Sequence, residues 1–255
     1  EEFYAKTKTL FISLVLIVII LFSFSKFYTS FFREHKPLRY NINPIYWIYS
    51  VGNFVHKTLD VAPKEMTEIG KDSKVVEPAN KAKELVILVV GEAARADRFS
   101  INGYEKETNP LLKKEDIINF PNMFSCGTST AHSIPCMFSI FPRDEYSYKK
   151  GISTENVLDV LKNTKDISIL WRDNNSDSKG VALRADYEDY QTPKINTICD
   201  DECRDEGMLV GLDEYIEKNK DRDIFIVLHQ MGNHGPAYYK RYPKEFEKFT
   251  PVCKS

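Results

Sequence analysis

The sequence has no excess of either charge and few glycines. Among its 255 residues, 35 lysines and arginines oppose 37 aspartates and glutamates, and there are only 11 glycines. The balanced charge gives no general electrostatic attraction to nucleic acid, so we predict no nucleic-acid partner. The 14 tyrosines and 16 phenylalanines exclude disorder and low complexity over most of the chain. No internal repeat is present, and the length allows one good-sized domain or two small ones.

One long apolar segment lies near the start of the chain. Residues 9–25 carry no charge and consist mainly of Leu, Ile, Val and Phe, which is long enough to span a bilayer. A cleaved signal peptide is the alternative, but the run exceeds the usual signal core and no small-residue cleavage site follows it. We predict a transmembrane helix within residues 1–30 and an interfacial and linker segment over residues 31–83.

Charge and cysteine content point to opposite sides of the membrane. More basic residues follow the apolar segment than precede it, which favours a cytoplasmic placement. Closely spaced cysteines, Cys126 with Cys136 and Cys199 with Cys203, are typical of exported, disulfide-bonded domains. Zinc binding is the alternative for them, although a Cys-x3-Cys pair without a second pair nearby is weak support. We expect an exported domain, with a partner for the odd Cys253 beyond residue 255.

Three short apolar runs predict buried parallel strands, at residues 85–90, 167–171 and 224–228. Helical patterns over residues 154–162 and 208–218 lie between them. Alternating strands and helices predict an α/β sandwich. Ligands bind at the carboxyl ends of the strands in such sheets, so the polar residues that follow each run should meet in space.

These polar residues have both chemical and structural interpretations. Glu92 can ligate a metal, or it can place a negative charge at a helix N-terminus. The segment of residues 171–179 is rich in donors that suit a phosphoester, and a solvated turn has the same composition. His229 and His234 are five residues apart, a spacing that fits loop ligands or phosphate donors as well as structural histidines.

The segment of residues 125–136 contains several hydroxyl side chains between two cysteines. Hydroxyls after Gly127 can place an Oγ at a helix N-terminus, where free backbone N–H groups favour an anion and lower a hydroxyl pKa. A nucleophilic Thr at that position needs a base or a metal to activate it. The alternative is a disulfide-closed loop in which Ser and Thr cap the helix.

Four segments together resemble the phosphoethanolamine transferases that modify lipid A, a family that includes the mobile colistin-resistance enzymes. They are GEAARADRFSINGYEKETNPLL (91–112), FSCGTSTAHSIPCMFS (124–139), WRDNNSDSKGV (171–181) and LHQMGNHGPAYYKRYP (228–243). FFREHKPLRY (31–40) is similar to the segment that joins their last transmembrane helix to the periplasmic domain. The resemblance implies a bacterial inner-membrane protein whose periplasmic domain has an alkaline phosphatase and sulfatase-like α/β/α fold and holds zinc.

The resemblance also implies roles for individual residues. Glu92 would be a zinc ligand, and Thr130 would be both a zinc ligand and the nucleophile. Phosphatidylethanolamine would donate phosphoethanolamine to Thr130, and the phosphothreonine would pass it to lipid A or another surface acceptor. The residues expected to hold the head group are Thr128, Asn175, Ser176, Lys179, His229 and His234. The disulfides of the family match Cys126 with Cys136 and Cys199 with Cys203.

One feature of the family has no match in the sequence. The family completes its zinc site with an adjacent Asp and His beyond the position of Cys253, and no Asp-His dipeptide occurs here. We therefore expect a central fragment, inactive on its own, with the last transmembrane helix over residues 1–30 and the first part of the catalytic domain over residues 84–255. Two alternatives stay open: a phosphodiesterase or sulfatase-like hydrolase, and a non-catalytic module that binds phospholipid head groups.

Overall fold

The computed structural model describes residues 2–35, 38, 40–59, 65–76 and 82–253. It divides into two units, Glu1–Val61 and Ala62–Ser255. Pro63 and Pro78, on which the predicted linker partly depends, lie outside the described residues.

The first unit is helical. Its described residues include the helices α1 (Glu2–Ser23), α2 (Ser25–Glu34) and α3 (Ile45–Leu59), and Leu38 and Tyr40 are helical as well. Helix α1 has a mean hydropathy of 2.2 over its most apolar stretch, none of which is buried. With 22 residues it is about 33 Å long, and a bilayer core is about 30 Å thick. The helix is therefore long and apolar enough to be the predicted membrane span.

The second unit contains one sheet of four parallel strands. They are β1 (Leu85–Val90), β2 (Ile167–Asp173), β3 (Asp186–Asp189) and β4 (Asp223–His229). Their order across the sheet is β1-β4-β2-β3. His229 is in register with Val90 on one side and Asp173 on the other. The predicted parallel sheet is confirmed, and the ends of its three long strands lie side by side.

Helices pack on both faces of the sheet. The helices of this unit are α4 (Thr130–Met137), α5 (Tyr148–Ile152), α6 (Val157–Asn163) and α7 (Leu212–Lys218). Short 3-10 turns cover Ala96–Arg98, Ser100–Asn102, Leu112–Lys114, Asp205–Leu209, Tyr238–Lys240 and Lys244–Phe246. Side chains of α4 and α6 join one buried cluster around Trp171, and those of α7 join a second cluster around Ile226. This arrangement is the predicted α/β sandwich.

Two predicted helices have different limits in the structure. The helix expected over residues 154–162 begins at Val157, because Asn156 caps it: the Asn156 side chain accepts from the Leu158 N–H at 2.9 Å. The pattern over residues 208–218 is interrupted at Gly211, whose φ of 68° is left-handed, so that α7 begins one residue later.

Part of the predicted linker, residues 65–76, belongs to the second unit and is hydrogen-bonded within it. The Thr67 N–H donates to the Ser153 carbonyl at 2.7 Å, and the Glu155 N–H donates to the Thr67 carbonyl at 2.9 Å. The Ile69 N–H also donates to the Glu155 side chain at 3.0 Å. Residues 65–76 therefore share hydrogen bonds with the segment that precedes α6.

Candidate functional site

Glu92 lies just beyond β1, and the loop after β4 fixes its backbone. The Asn233 N–H donates to the Glu92 carbonyl at 3.0 Å. Gly232 has a φ of 49°, and a Cβ at that position would lie 3.0 Å from the Glu92 nitrogen. Only glycine fits this close approach without strain. The ends of β1 and β4 thus set the position of the Glu92 carboxylate together.

Helix α4 brings Thr130 to this carboxylate. Thr130 is the first residue of the helix, and its Oγ1 donates to Glu92 Oε2 at 2.8 Å. A disulfide between Cys126 and Cys136 closes the segment around it, as the resemblance implies. The Ser129 side chain makes no capping hydrogen bond. The His132 N–H donates to the Ser129 carbonyl at 3.1 Å, which leaves the N–H groups of Thr130 and Ala131 available to an anion.

The loop after β2 completes the contacts of Glu92. Asn175 Nδ2 donates to Glu92 Oε2 at 3.3 Å and to the Gln230 carbonyl at 2.9 Å. Ser176 Oγ donates to Asn175 Oδ1 at 2.9 Å, and Lys179 Nζ donates to the Ser176 carbonyl at 2.5 Å. Three chain segments that are far apart in sequence therefore meet at one carboxylate, as the strand ends predicted.

The two histidines occupy different environments. His229 is fully buried, and its Nδ1 lies 2.7 Å from Asp173 Oδ2. Its Nε2 is buried and has no hydrogen-bond partner among the described residues. His234 has a side chain 46% exposed, with Nδ1 3.9 Å from Glu92 Oε1. Of the two, only His234 is exposed beside Glu92.

The remaining predicted residue, Thr128, is exposed. Within the described part of the chain, it has no side-chain hydrogen bond to Glu92, Thr130 or Asn175. Its position two residues before α4 leaves it near the helix N-terminus. The second disulfide, between Cys199 and Cys203, lies in the segment before the 3-10 turn at Asp205–Leu209.

Asp173 lies in the donor-rich segment of residues 171–179, but the sequence analysis assigned it no role of its own. Its Oδ2 accepts from Trp171 Nε1 at 2.9 Å in addition to facing His229. Its Oδ1 accepts from the backbone N–H groups of Asn175 and Asp177, at 2.9 and 3.1 Å. Burial alone would raise the pKa of Asp173, but the hydrogen bonds from His229 and Trp171 hold that pKa below its usual value.

Asp205 is a site residue that the sequence analysis missed. Its Oδ1 accepts from the Met231 N–H at 2.8 Å and from Asn174 Nδ2 at 2.8 Å. Its Oδ2 accepts from the Gly232 N–H at 2.9 Å. Asp205 therefore joins the loop after β2 to the loop after β4. The sequence signal for Asp173 is its position at the end of a predicted strand, and that for Asp205 is its position two residues before Gly207.

The donor set suits a metal in part. Glu92 and Thr130 place two oxygen atoms 2.8 Å apart, and carboxylate and hydroxyl oxygens are ligands for zinc. Among the residues that the structure describes, no three His, Cys, Asp or Glu side chains are grouped to hold a metal ion. A catalytic zinc site usually has three protein ligands, so Glu92 and Thr130 alone do not make up such a site.

Comparison with known proteins gives matches along nearly the whole chain. The sulfatase family model matches residues 84–255, and the model described as phosphoethanolamine transferase EptA/EptB matches residues 1–59. Phosphatidylethanolamine transferase Mcr-1 of Escherichia coli is 52% identical over 252 residues, which are 94% of this chain and 46% of the relative. Phosphoethanolamine transferase EptA of Escherichia coli K12 is 41% identical over 246 residues, which are 95% of this chain and 44% of the relative.

A solved structure is similar over the same extent. The integral membrane lipooligosaccharide phosphoethanolamine transferase A (EptA) from Neisseria meningitidis superposes with a TM-score of 0.73 and 36% identity. The match covers 96% of this chain and 46% of that protein. This chain therefore spans about half the length of the relatives that it matches.

Proposed function

Because this chain belongs to the sulfatase family and, within it, to the phosphoethanolamine transferases, we propose that its protein moves phosphoethanolamine from phosphatidylethanolamine to a surface glycolipid. The observation that carries the proposal is the hydrogen bond from Thr130 Oγ1 to Glu92 Oε2, at 2.8 Å. It pairs a hydroxyl nucleophile with a carboxylate at the N-terminus of a helix. This pairing is the arrangement that a covalent phosphoryl-group transfer requires.

In the first step, Thr130 attacks the phosphorus of the lipid. The new bond joins Thr130 Oγ1 to phosphorus, and the bond from phosphorus to the glycerol oxygen breaks. Glu92 accepts the hydroxyl proton through the existing hydrogen bond, and the proton goes on to the departing oxygen, so that diacylglycerol leaves neutral. In the second step, the oxygen of an acceptor O–H group, on a sugar or on a protonated phosphate, attacks the phosphorus of the phosphothreonine. The bond from phosphorus to Thr130 Oγ1 breaks, and Glu92 passes the proton of the acceptor to Oγ1, so that the Thr130 hydroxyl is regenerated.

Donor groups around Thr130 would stabilise the charge on the phosphoryl oxygens. The free N–H groups at the start of α4 lie next to Thr130, which is the first residue of that helix. Lys179, Asn175 and Ser176 lie on one loop whose Asn175 already contacts Glu92. Positioned donors and cations are the main source of catalysis in phosphoryl transfer. Thr128 and His234 are further candidates for contact with the head group.

We propose zinc as the cofactor, with Glu92 and Thr130 among its ligands. Zinc, when bound, lowers the pKa of a coordinated hydroxyl and neutralises phosphoryl charge. Zinc content measured by mass spectrometry on the protein that carries this chain, and on its Glu92→Gln variant, tests this assignment. We expect the variant to lose zinc. Equal zinc content in both proteins would remove Glu92 from the ligand set.

We propose the bacterial inner membrane as the location, with the catalytic unit in the periplasm. Helix α1 would anchor the chain next to its lipid donor, and the disulfides favour an oxidising compartment. The acceptor that we propose is lipid A or another surface glycan, as the name of the Neisseria relative supports. Adding phosphoethanolamine there, with its positively charged amine, would reduce negative surface charge, and with it the binding of cationic peptides such as colistin.

Transfer of a labelled head group tests the function. Phosphatidylethanolamine with a radiolabelled ethanolamine would be incubated with lipid A and the protein that carries this chain, and the intact protein mass would be recorded. We expect label in lipid A and a phosphoethanolamine adduct on Thr130, with both lost in Thr130→Ala. Ser133→Ala, in the same helix, is the matched control and should keep both. Label released only as free phosphoethanolamine would instead support a hydrolase.

A further inference from the structure

A cavity of about 620 Å³ is lined by Ala94, which is close in sequence to Glu92, and by Cys126 and Cys136, which lie on either side of Thr130 in the sequence; the proposed function does not use it. Its volume is typical of small-molecule sites. Its lining consists mainly of large apolar side chains, among them Phe99, Phe120, Met123, Phe124, Met137 and Phe141. Phe120, Met123 and Phe124 are 68%, 77% and 78% exposed. Soluble proteins rarely keep such large apolar side chains together in water, which marks this wall as a binding surface.

The cavity is joined to the nucleophile through short stretches of chain. One wall contains Cys126 and Cys136, whose disulfide encloses the segment with Thr130. The lining also contains Ala94, two residues after Glu92. A substrate whose phosphorus lies at Thr130 can therefore extend an apolar tail into this space.

The charge at the cavity favours a phospholipid over a cationic ligand. Arg143 is the charged residue of the lining, and it forms no ion pair within the described part of the chain. Lys150 lies over the ring of Phe141, another lining residue, at 5.1 Å from the ring centroid. Positive charge at the border of an apolar space complements an amphiphile with an anionic phosphate and an acyl chain.

We propose that this cavity binds an acyl chain of the phospholipid donor, a subsite that rests on the proposed transferase function. One acyl chain of the lipid extends from the phosphodiester at Thr130 and lies against Phe120, Met123 and Phe124. The subsite explains how the site selects a lipid rather than a water-soluble phosphoethanolamine ester. The kcat/KM of the donor should then rise with the length of its acyl chain, because each added methylene is buried in an apolar contact.

Single-chain donors of increasing length test the subsite. Hexanoyl, octanoyl and decanoyl lysophosphatidylethanolamine would be used below their micelle concentrations, with the protein that carries this chain. We expect kcat/KM to rise about three- to fourfold for each added methylene. In the double variant Met123→Ser and Phe124→Ser this dependence should flatten. Ile118→Ser is the matched control, because Ile118 is 85% exposed in the same segment and does not line the cavity.

Photolabelling gives a readout that does not depend on turnover. A decanoyl donor with a diazirine at the end of its chain should label the tryptic peptide of residues 115–143, at positions 119–126 or 136–143. Labelling elsewhere, or an equal chain-length dependence in the double variant and the parent, would overturn the subsite. Absence of transfer from every donor in the parent, with no adduct on Thr130, would instead contradict the proposed function.

Discussion

Three non-glycine residues near the candidate site have a left-handed backbone conformation. Ala93 has a φ of 51°, Asp177 of 85° and Lys179 of 52°. Such conformations cost on the order of 1–3 kcal/mol each and persist where the surroundings fix them. The Asp177 N–H, for example, donates to Asp173 at 3.1 Å. The loops that carry Glu92 and Asn175 are therefore held in strained conformations that favour the observed geometry.

Ala93→Gly should stabilise the second unit. Glycine adopts a positive φ without steric cost, so we expect the free energy of unfolding to rise by about 1 kcal/mol, less the entropy that glycine gains in the unfolded chain. Urea unfolding followed by Trp171 fluorescence, in a Trp47→Phe background, measures the change. Ala94→Gly is the control, because Ala94 has no positive φ, and it should destabilise. Equal destabilisation by both substitutions would mean that Ala93 is not strained.

Asp205 should act on catalysis through the two loops that it joins. In Asp205→Ala, the N–H groups of Met231 and Gly232 and the Asn174 amide lose their acceptor, which should cost about 1–3 kcal/mol of unfolding free energy. Gly232 packs on Glu92, so a small shift of the loop displaces the carboxylate. A misplacement near 1 Å can reduce kcat/KM by about a hundredfold.

The measurement for Asp205 compares kcat/KM for head-group transfer with the urea midpoint. Asp205→Asn keeps the shape and one acceptor oxygen, and should recover part of the lost activity. Asp201→Asn, at an exposed position nearby, should leave both quantities unchanged. A fall in the urea midpoint without any loss of kcat/KM would reduce Asp205 to a structural residue.

Among the elements, the strands were easier to predict than the site they support. The runs at β1, β2 and β4 are apolar and β-branched, so their burial is visible in composition. Strand β3, Asp-Tyr-Glu-Asp, was missed because its charges hide it. Its Glu188 pairs with Arg172 of β2 at 2.7 Å, so the stabilising contact lies in the neighbouring strand and not in the β3 sequence.

The site was predictable at Thr130, where the sequence allows a hydroxyl at a helix N-terminus, and where a side chain follows a strand end. That rule brought Glu92, Asn175 and His229 to one edge of the sheet. It did not predict that His229 is buried against Asp173, nor that Asp205 joins two loops. Those contacts link residues 26 to 56 positions apart, and no short spacing in the sequence encodes them.

Strand β1 presents an apolar surface that the described elements leave uncovered. Leu85, Ile87 and Val89 are 42–52% exposed, although in register they face the same way as the buried Ile224 and Ile226 of β4. Helix α7 packs on the β4 residues of this face. An exposed apolar strand at a sheet edge is a site for self-association.

This chain on its own should therefore form oligomers through β1. The double variant Ile87→Thr and Val89→Thr keeps β propensity and removes apolar surface, so we expect a larger monomer fraction by size-exclusion chromatography with light scattering in detergent. Leu209→Thr, at an exposed apolar position away from β1, is the matched control. An unchanged monomer fraction in the β1 variant would place the association elsewhere, in α1 for example.

At the scale of the whole second unit, one buried carboxylate connects the sheet to the site. Asp173 ends β2, faces His229 at the end of β4, and accepts two backbone N–H groups from the loop that carries Asn175. Its pKa is lower in the folded protein than its usual value. Protonation of this one group therefore loosens two strands and a loop together.

Because the folded pKa is the lower one, the stabilisation from Asp173 is fully present above the unfolded pKa of about 3.9 and is lost as the pH falls through the folded value. We expect the free energy of unfolding to be independent of this group from pH 7 to about pH 5 and to decline below about pH 4. Asp173→Asn should have a lower free energy of unfolding at pH 7. That free energy should also fall less steeply with decreasing pH, with a slope smaller by up to one bound proton. Asp186→Asn, at an exposed position of β3, is the control and should keep the parent slope. If Asp173→Asn keeps the full acid slope, other carboxylates determine acid unfolding, and the dyad with His229 is not what ties the sheet to its loop.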